Sequence, residues 1–275
     1  MELLGYFGAV LMGLSLGLIG GGGSILTVPI LVYLFHIDAV MATAYSLFIV
    51  GLTSLIGSGS HMRLGNIHWR TAIVFGIPSI LSVYATRAWL VPALPDPLFS
   101  VGGVVVGKSI GILIFFAVIM VVAAFSMIRR PRMVKAEVQE EIRNDSGKGK
   151  PFNYPLILVE GIVVGAITGI VGAGGGFLII PALVLLAKLP MKQAVGTSLI
   201  IIAAKSLLGF LGDLRGEEVI DWSFLGIFSV IAIAGILIGA RLSKRISNAH
   251  LRPAFGWFVL VMGIYIITRE ISAIS

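Results

Sequence analysis

The chain has 275 residues, 57% of them hydrophobic and only 12% charged, with a mean hydropathy of +1.05. That is too little charge to coat a water-facing globule, since soluble domains carry about 25% charged residues. The 20 Lys and Arg against 13 Asp and Glu leave a net charge of +7, but they sit in short segments between apolar runs, which excludes a nucleic-acid binder, and the absence of cysteine removes disulfides, thiolate metal sites and thiol nucleophiles.

The composition therefore predicts an all-α integral membrane protein with several spans. Stretches free of charge cover residues 3–37, 39–62, 71–86, 109–128, 161–187, 222–240 and 253–268. A bilayer-spanning helix needs about 20 mostly apolar residues, so the first run is too long for one helix. Gly20, Gly21, Gly22 and Gly23 interrupt it, and four residues without side chains weaken a helix. The part up to Ile19 can span. The part from Ser24 to about Phe35 reaches only about 18 Å at 1.5 Å per residue and is expected to be a half-span. No Lys/Arg-rich start or small-residue cleavage site precedes the first helix, which is expected to be retained.

The one stretch of soluble character joins two halves. It holds Arg129, Arg130, Arg132, Lys135, Arg143, Lys148 and Lys150 among several acidic residues. The expected division is a first transmembrane repeat at 1–128, a charged linker at 129–153 and a second transmembrane repeat at 154–275. Basic residues favour the cytoplasmic side of short loops. The linker, the segment from Arg241 to Arg252, and Arg63 with Arg70 are accordingly placed inside, leaving Arg87, Arg215 and Arg269 outside. With the turn near Pro92–Pro97 outside and its counterpart at Arg241–Arg252 inside, the halves are expected to be inverted. That requires an odd number of crossings in each, and eight to ten segments in all when half-helices are counted.

Shifting the chain by 152 positions aligns Gly13–Arg63 with Gly165–Arg215, and 18 of those 51 positions are identical. The identities include Gly13/Gly165, Gly17/Gly169, Gly20/Gly172, Gly22/Gly174, Gly23/Gly175, Pro29/Pro181, Ser46/Ser198 and Ser54/Ser206. One inserted residue later, Asn66-Ile67-His68-Trp69 matches Val219-Ile220-Asp221-Trp222. Inverted repeats with interrupted helices at matching positions are the sequence mark of secondary transporters, whose substrate site lies where the broken helices meet. A helix that starts inside the bilayer presents unpaired N–H groups and a positive dipole end, which suit a small anion.

The paired motifs GLIGGGGSILTVPIL and GIVGAGGGFLIIPAL, with the downstream helices VMATAYSLFIVGLTSLIG and QAVGTSLIIIAAKSLLG, resemble the sulfite exporter TauE/SafE family of bacterial permeases. The likeness covers nearly the whole chain and recurs in both halves. It implies a multi-pass protein of the bacterial cytoplasmic membrane that moves sulfite, a sulfonate or another sulfur-containing organic anion.

Candidate anion-binding residues are Gly20, Gly21, Gly22, Gly23 and Ser24 in the first tract and Gly172, Gly174, Gly175 and Gly176 in the second; the alternative for these tracts is a plain kink. The glycines four apart, Gly13, Gly17 and Gly21 and likewise Gly161, Gly165 and Gly169, are expected to pack helices closely. Tyr45 and Ser46 align with Thr197 and Ser198, so both halves offer hydroxyls that can donate to an anion, or that bond their own preceding carbonyls. Lys205 is charged between apolar neighbours, and an intramembrane charge signals function, with snorkelling to an interface as the alternative. His61 and Asp213 are repeat partners at span ends and candidates for gating or proton coupling; solvated loop ends are the other reading. Trp69, Trp89, Trp222 and Trp257 read as interface anchors.

The expected activity is alternating-access transport of a small anion, with a proton or sodium ion as potential coupling partner, the lipid bilayer as surroundings, and no cofactor or metal. An anion channel is the nearest alternative. A membrane-embedded enzyme is a further one, although the spans offer only isolated ionisable residues.

Overall fold

Inside a bilayer, backbone amides have no water to bond and must pair within their own segment, so apolar runs of this length close into helices. The computed structural model describes residues 2–101, 104–129, 154–185, 187, 189–214, 220–242 and 248–274. Within them α1 (Glu2–Ile19) is followed by a 3₁₀ segment (Gly21–Leu26) that leads into α2 (Thr27–Tyr33). Next come α3 (Ala39–Arg63) and α4 (Trp69–Ala85), the latter running on through a π-helical turn (Thr86–Leu90) and a last turn (Val91–Ala93). After α5 (Lys108–Arg129), the second half supplies α6 (Tyr154–Val171), α7 (Gly176–Leu185), α8 (Met191–Asp213), α9 (Trp222–Leu242) and α10 (Asn248–Ile274). The 129–153 linker lies outside the described residues, apart from Arg129 at the end of α5.

Among the described residues, six helical stretches are long and apolar enough to cross a membrane, and Leu3–Ile19, Gly21–Tyr33 and Pro155–Val171 are shorter apolar helices. The protein is thus an all-α membrane protein, with one small departure. Between α4 and α5, β1 (Phe99–Val101) and β2 (Val104–Val106) pair antiparallel, Phe99 opposite Val106. Three consecutive β-branched valines, Val104 to Val106, favour a strand there.

Two helices form the centre. About two-thirds of the spanning stretch is buried in α3 and α8 (67% each), against 28–39% in the other four spans. Outward-facing side chains are apolar, for example Leu81, Val230 and Val261, as lipid contact demands. Trp69, Trp89, Trp222 and Trp257 are all more than half exposed, in keeping with anchors at the interface.

The repeat-related helices pack in a matched pattern. α1 lies along α9, while its counterpart α6 lies along α4. Glycine makes both approaches close: Gly13 and Gly17 meet the backbone of Ala232 and Ile236, and Gly161, Gly165 and Gly169 meet Phe75, Ser79 and Thr86. Each pair therefore runs in the same direction. α3 packs on its own counterpart α8, with Gly51 against Leu207 and Gly209 against Leu47. α5 packs on its counterpart α10, with Gly256 against Met127 and Gly263 against Val121. In these two pairs residue numbers rise on one helix as they fall on the other, so the partners are antiparallel.

Candidate functional site

The two glycine tracts break the helices that lead to them. Gly20 has φ +80°, and Gly172, Gly174 and Gly175 have φ of +71°, +63° and +68°, a left-handed conformation that side chains with a Cβ resist. After the second tract α7 starts directly at Gly176, as the sequence suggested. The first differs: instead of an α-helix near Ser24, a 3₁₀ turn begins at Gly21 and the α-helix only at Thr27. Two short-range bonds stabilise the tighter winding, Ser24 Oγ donating to Gly21 O (2.7 Å) and Thr27 Oγ1 to Ser24 O (3.1 Å). Pro29 then falls in the first turn of α2, where a missing N–H is tolerated.

The tracts touch each other. A Cβ on Gly21 or Gly176 would strike the backbone of the other, and one on Gly174 would press on Val50 and Ile202. Val50 and Ile202 lie near mid-length of α3 and α8, so the two breaks meet at the centre of the molecule. All of Gly20–Leu26 and Val171–Phe177 is buried.

Lys205 reaches this centre. It has no exposed surface (0%), and its Nζ donates to Thr168 Oγ1 at 2.8 Å. A Cβ on Gly175 would stand 2.9 Å from that Nζ. Among the described residues no carboxylate lies within ion-pair distance of it. With no exposed surface and its Nζ held by a buried hydroxyl, this side chain does not snorkel to an interface. Its repeat counterpart Thr53 is also buried but only bonds its own helix at Ile49 O (2.6 Å), leaving the centre electrically asymmetric.

The paired hydroxyls do something the sequence did not reveal. Tyr45 Oη accepts from the backbone N–H of Asp221 (2.8 Å), and Thr197 Oγ1 accepts from that of His68 (2.9 Å). Asp221 and His68 are themselves repeat partners at the starts of α9 and α4, so each half ties down a helix start of the other. Ser198 bonds back to Val195 O (2.9 Å), whereas the buried Ser46, Ser54 and Ser206 hydroxyls have no protein partner.

His61 and Asp213 lie at opposite ends of α8. His61 packs at Gly196 near the start of α8, with its Nδ1 buried and unpartnered, while Asp213 ends the same helix. Asp213 instead pairs with Arg87, whose Nε lies 2.9 Å from both carboxylate oxygens. The distribution of basic residues places Arg87 toward the outer face, yet its side chain is 1% exposed. The π-helical turn carries it inward, where Nη1 donates to Thr43 Oγ1 (3.0 Å) and Gly169 O (3.3 Å). The signal for it was present: Arg87 stands between SVYAT and AWLVPAL, a charge flanked by apolar sequence like Lys205. Among the described residues no three His, Asp or Glu side chains converge as a metal site would need.

The broken helices thus meet inside a multi-pass protein. The profile of the sulfite exporter TauE/SafE family matches residues 6–266. The chain belongs to the TauE/SafE family. Relatives of this TauE/SafE protein include a probable membrane transporter protein of Xylella fastidiosa, 29% identical over 94% of this chain and 92% of the relative. Another, from Methanocaldococcus jannaschii, is 27% identical over 94% of each, and one from Bacillus subtilis is 26% identical over 89% of this chain and 91% of the relative. No solved structure matches the chain. With six candidate spans among the described residues, this TauE/SafE protein is a multi-pass membrane transporter.

Proposed function

We propose that this transporter carries a small oxyanion, sulfite or an organosulfonate, across the bacterial cytoplasmic membrane by alternating access between two inverted repeats. The observation that carries the anion assignment is Lys205: a fully buried lysine whose Nζ has a hydroxyl and no carboxylate for a partner, beside Gly175, where the two broken segments cross. An incoming anion supplies a counter-charge to the lysine; the N–H groups of Gly172 and Gly175 already donate to Thr168 O and Ala173 O. Gly20–Ser24 and Gly172–Gly176 line the binding centre. The unpartnered Ser46 hydroxyl is a donor within the same helix pair, while Tyr45, Thr197 and Ser198 act chiefly through the protein contacts they already make. Inversion is supported by the antiparallel packing of α3 on α8 and of α5 on α10, since equivalent helices in inverted repeats run in opposite directions.

Counterflow in proteoliposomes tests this reading. Vesicles loaded with unlabelled sulfite or sulfoacetate should accumulate the labelled anion transiently above its external level. Simple equilibration would assign a pore, and no movement of either anion would remove the substrate class.

A further inference from the structure

Arg87 is buried as completely as Lys205, and its hydrogen bonds do not use the whole guanidinium. Nε is taken by Asp213 and Nη1 by Thr43 and Gly169, but Nη2 is buried with no partner. An unsatisfied nitrogen on a fixed buried cation is costly to maintain. The π-helical turn at Thr86–Leu90, a departure from regular helix that often accompanies function, is what brings it there.

The two buried basic side chains bond neighbouring residues of α6. Lys205 bonds the side chain of Thr168 and Arg87 bonds the carbonyl of Gly169. These are consecutive residues in the last turn of α6, just before the break at Gly172. Thr43, which holds Arg87 Nη1, also packs against Gly172. Arg87 is paired with Asp213, whereas Lys205 has no carboxylate partner among the described residues. Both cations could serve only to complement the negative end of α6, but Lys205 bonds a hydroxyl rather than a terminal carbonyl, and Nη2 bonds nothing.

We propose that Arg87 is a second anion-binding group that uses its free Nη2, with Lys205, to hold two oxygens of one anion. Resting on the anion reading above, this names the recognised chemistry: a centre bearing at least two charged or partly charged oxygens, as in sulfite, sulfonates and carboxylates, in preference to a spherical halide. Asp213 accepts from Nε at the other edge of the guanidinium, and its negative charge opposes the anion.

The test is calorimetric binding of sulfite, methanesulfonate and chloride to purified full-length protein in detergent, comparing wild type with R87K, R87Q and D213N. Wild type should bind the two oxyanions more tightly than chloride. R87K and R87Q should each lose about tenfold or more in oxyanion affinity, whereas D213N, which keeps the guanidinium and removes an opposing charge, should bind them at least as tightly as wild type. If R87Q and D213N weaken binding equally, Arg87 serves only the ion pair and the proposal fails. It fails equally if R87K and R87Q bind like wild type. Should R87Q not fold, the double variant R87Q/D213N, which removes both charges together, takes its place with the same expected loss. Wild type that binds none of the three probes would instead overturn the anion reading itself.

Discussion

Two buried cations with different surroundings dominate at the scale of single residues. Lys205 has one hydroxyl for a partner, and an ionisable side chain buried at membrane depth is a mark of function. Lys205→Met preserves most of the stem's volume and removes the charge. The expected outcome is an apparent Tm equal to or above wild type without ligand, together with loss of the Tm increase that sulfite gives the wild type; a retained sulfite response would exclude Lys205 from binding. Gly175 tests the same place from the backbone side. Its φ of +68° disfavours any Cβ, and the added atom would also collide with Thr168, the partner of Lys205. Gly175→Ala should therefore lower stability by about 1–3 kcal/mol and weaken anion binding, read by denaturation and calorimetry on the same preparation. Lys205 stood out in the sequence because a charge among apolar neighbours is a local pattern. The identity of its partner did not, because Thr168 is 37 residues away.

At the scale of elements, glycine acts in two distinct ways. In α1 and α6 it removes bulk so that backbones can meet, as glycines four apart in the sequence suggested. In the tracts at 20–23 and 172–175 it allows left-handed turns that end one helix and begin another. The first role predicts sharply position-dependent substitutions. Gly13→Ala places a methyl group on the Ala232 carbonyl and should destabilise the α1–α9 contact by about 1–3 kcal/mol. Gly226→Ala, in α9 with open space around it, should instead stabilise the helix by about 0.5–1 kcal/mol. Thermal denaturation in one detergent decides both, and equal effects would disprove the packing role. The hydroxyls of Tyr45 and Thr197 show the limit of reading elements from a repeat. Alignment revealed that they were equivalent, but not that each accepts a hydrogen bond from a helix start in the other half.

At the scale of the whole molecule, the proposed inversion sets the topology. With the linker and the end of α3 inside, the α8–α9 connection lies outside. Because the chain lacks cysteine, single substitutions report this directly. Ser60→Cys near the end of α3 should react with an impermeant maleimide only in inside-out vesicles, and Ser223→Cys at the start of α9 only from the outside of intact cells. Labelling of both from one side would refute the arrangement. The sequence by itself determined that the chain spans a membrane, that it is duplicated, and that each half contains a helix interrupted by glycine. Apolar length, periodic identity and glycine runs are properties of contiguous chain. Only the tertiary structure decided that the two breaks meet and that Arg87 turns inward to Asp213, 126 residues distant. Packing of distant helices, not local composition, selects the partner of a buried charge.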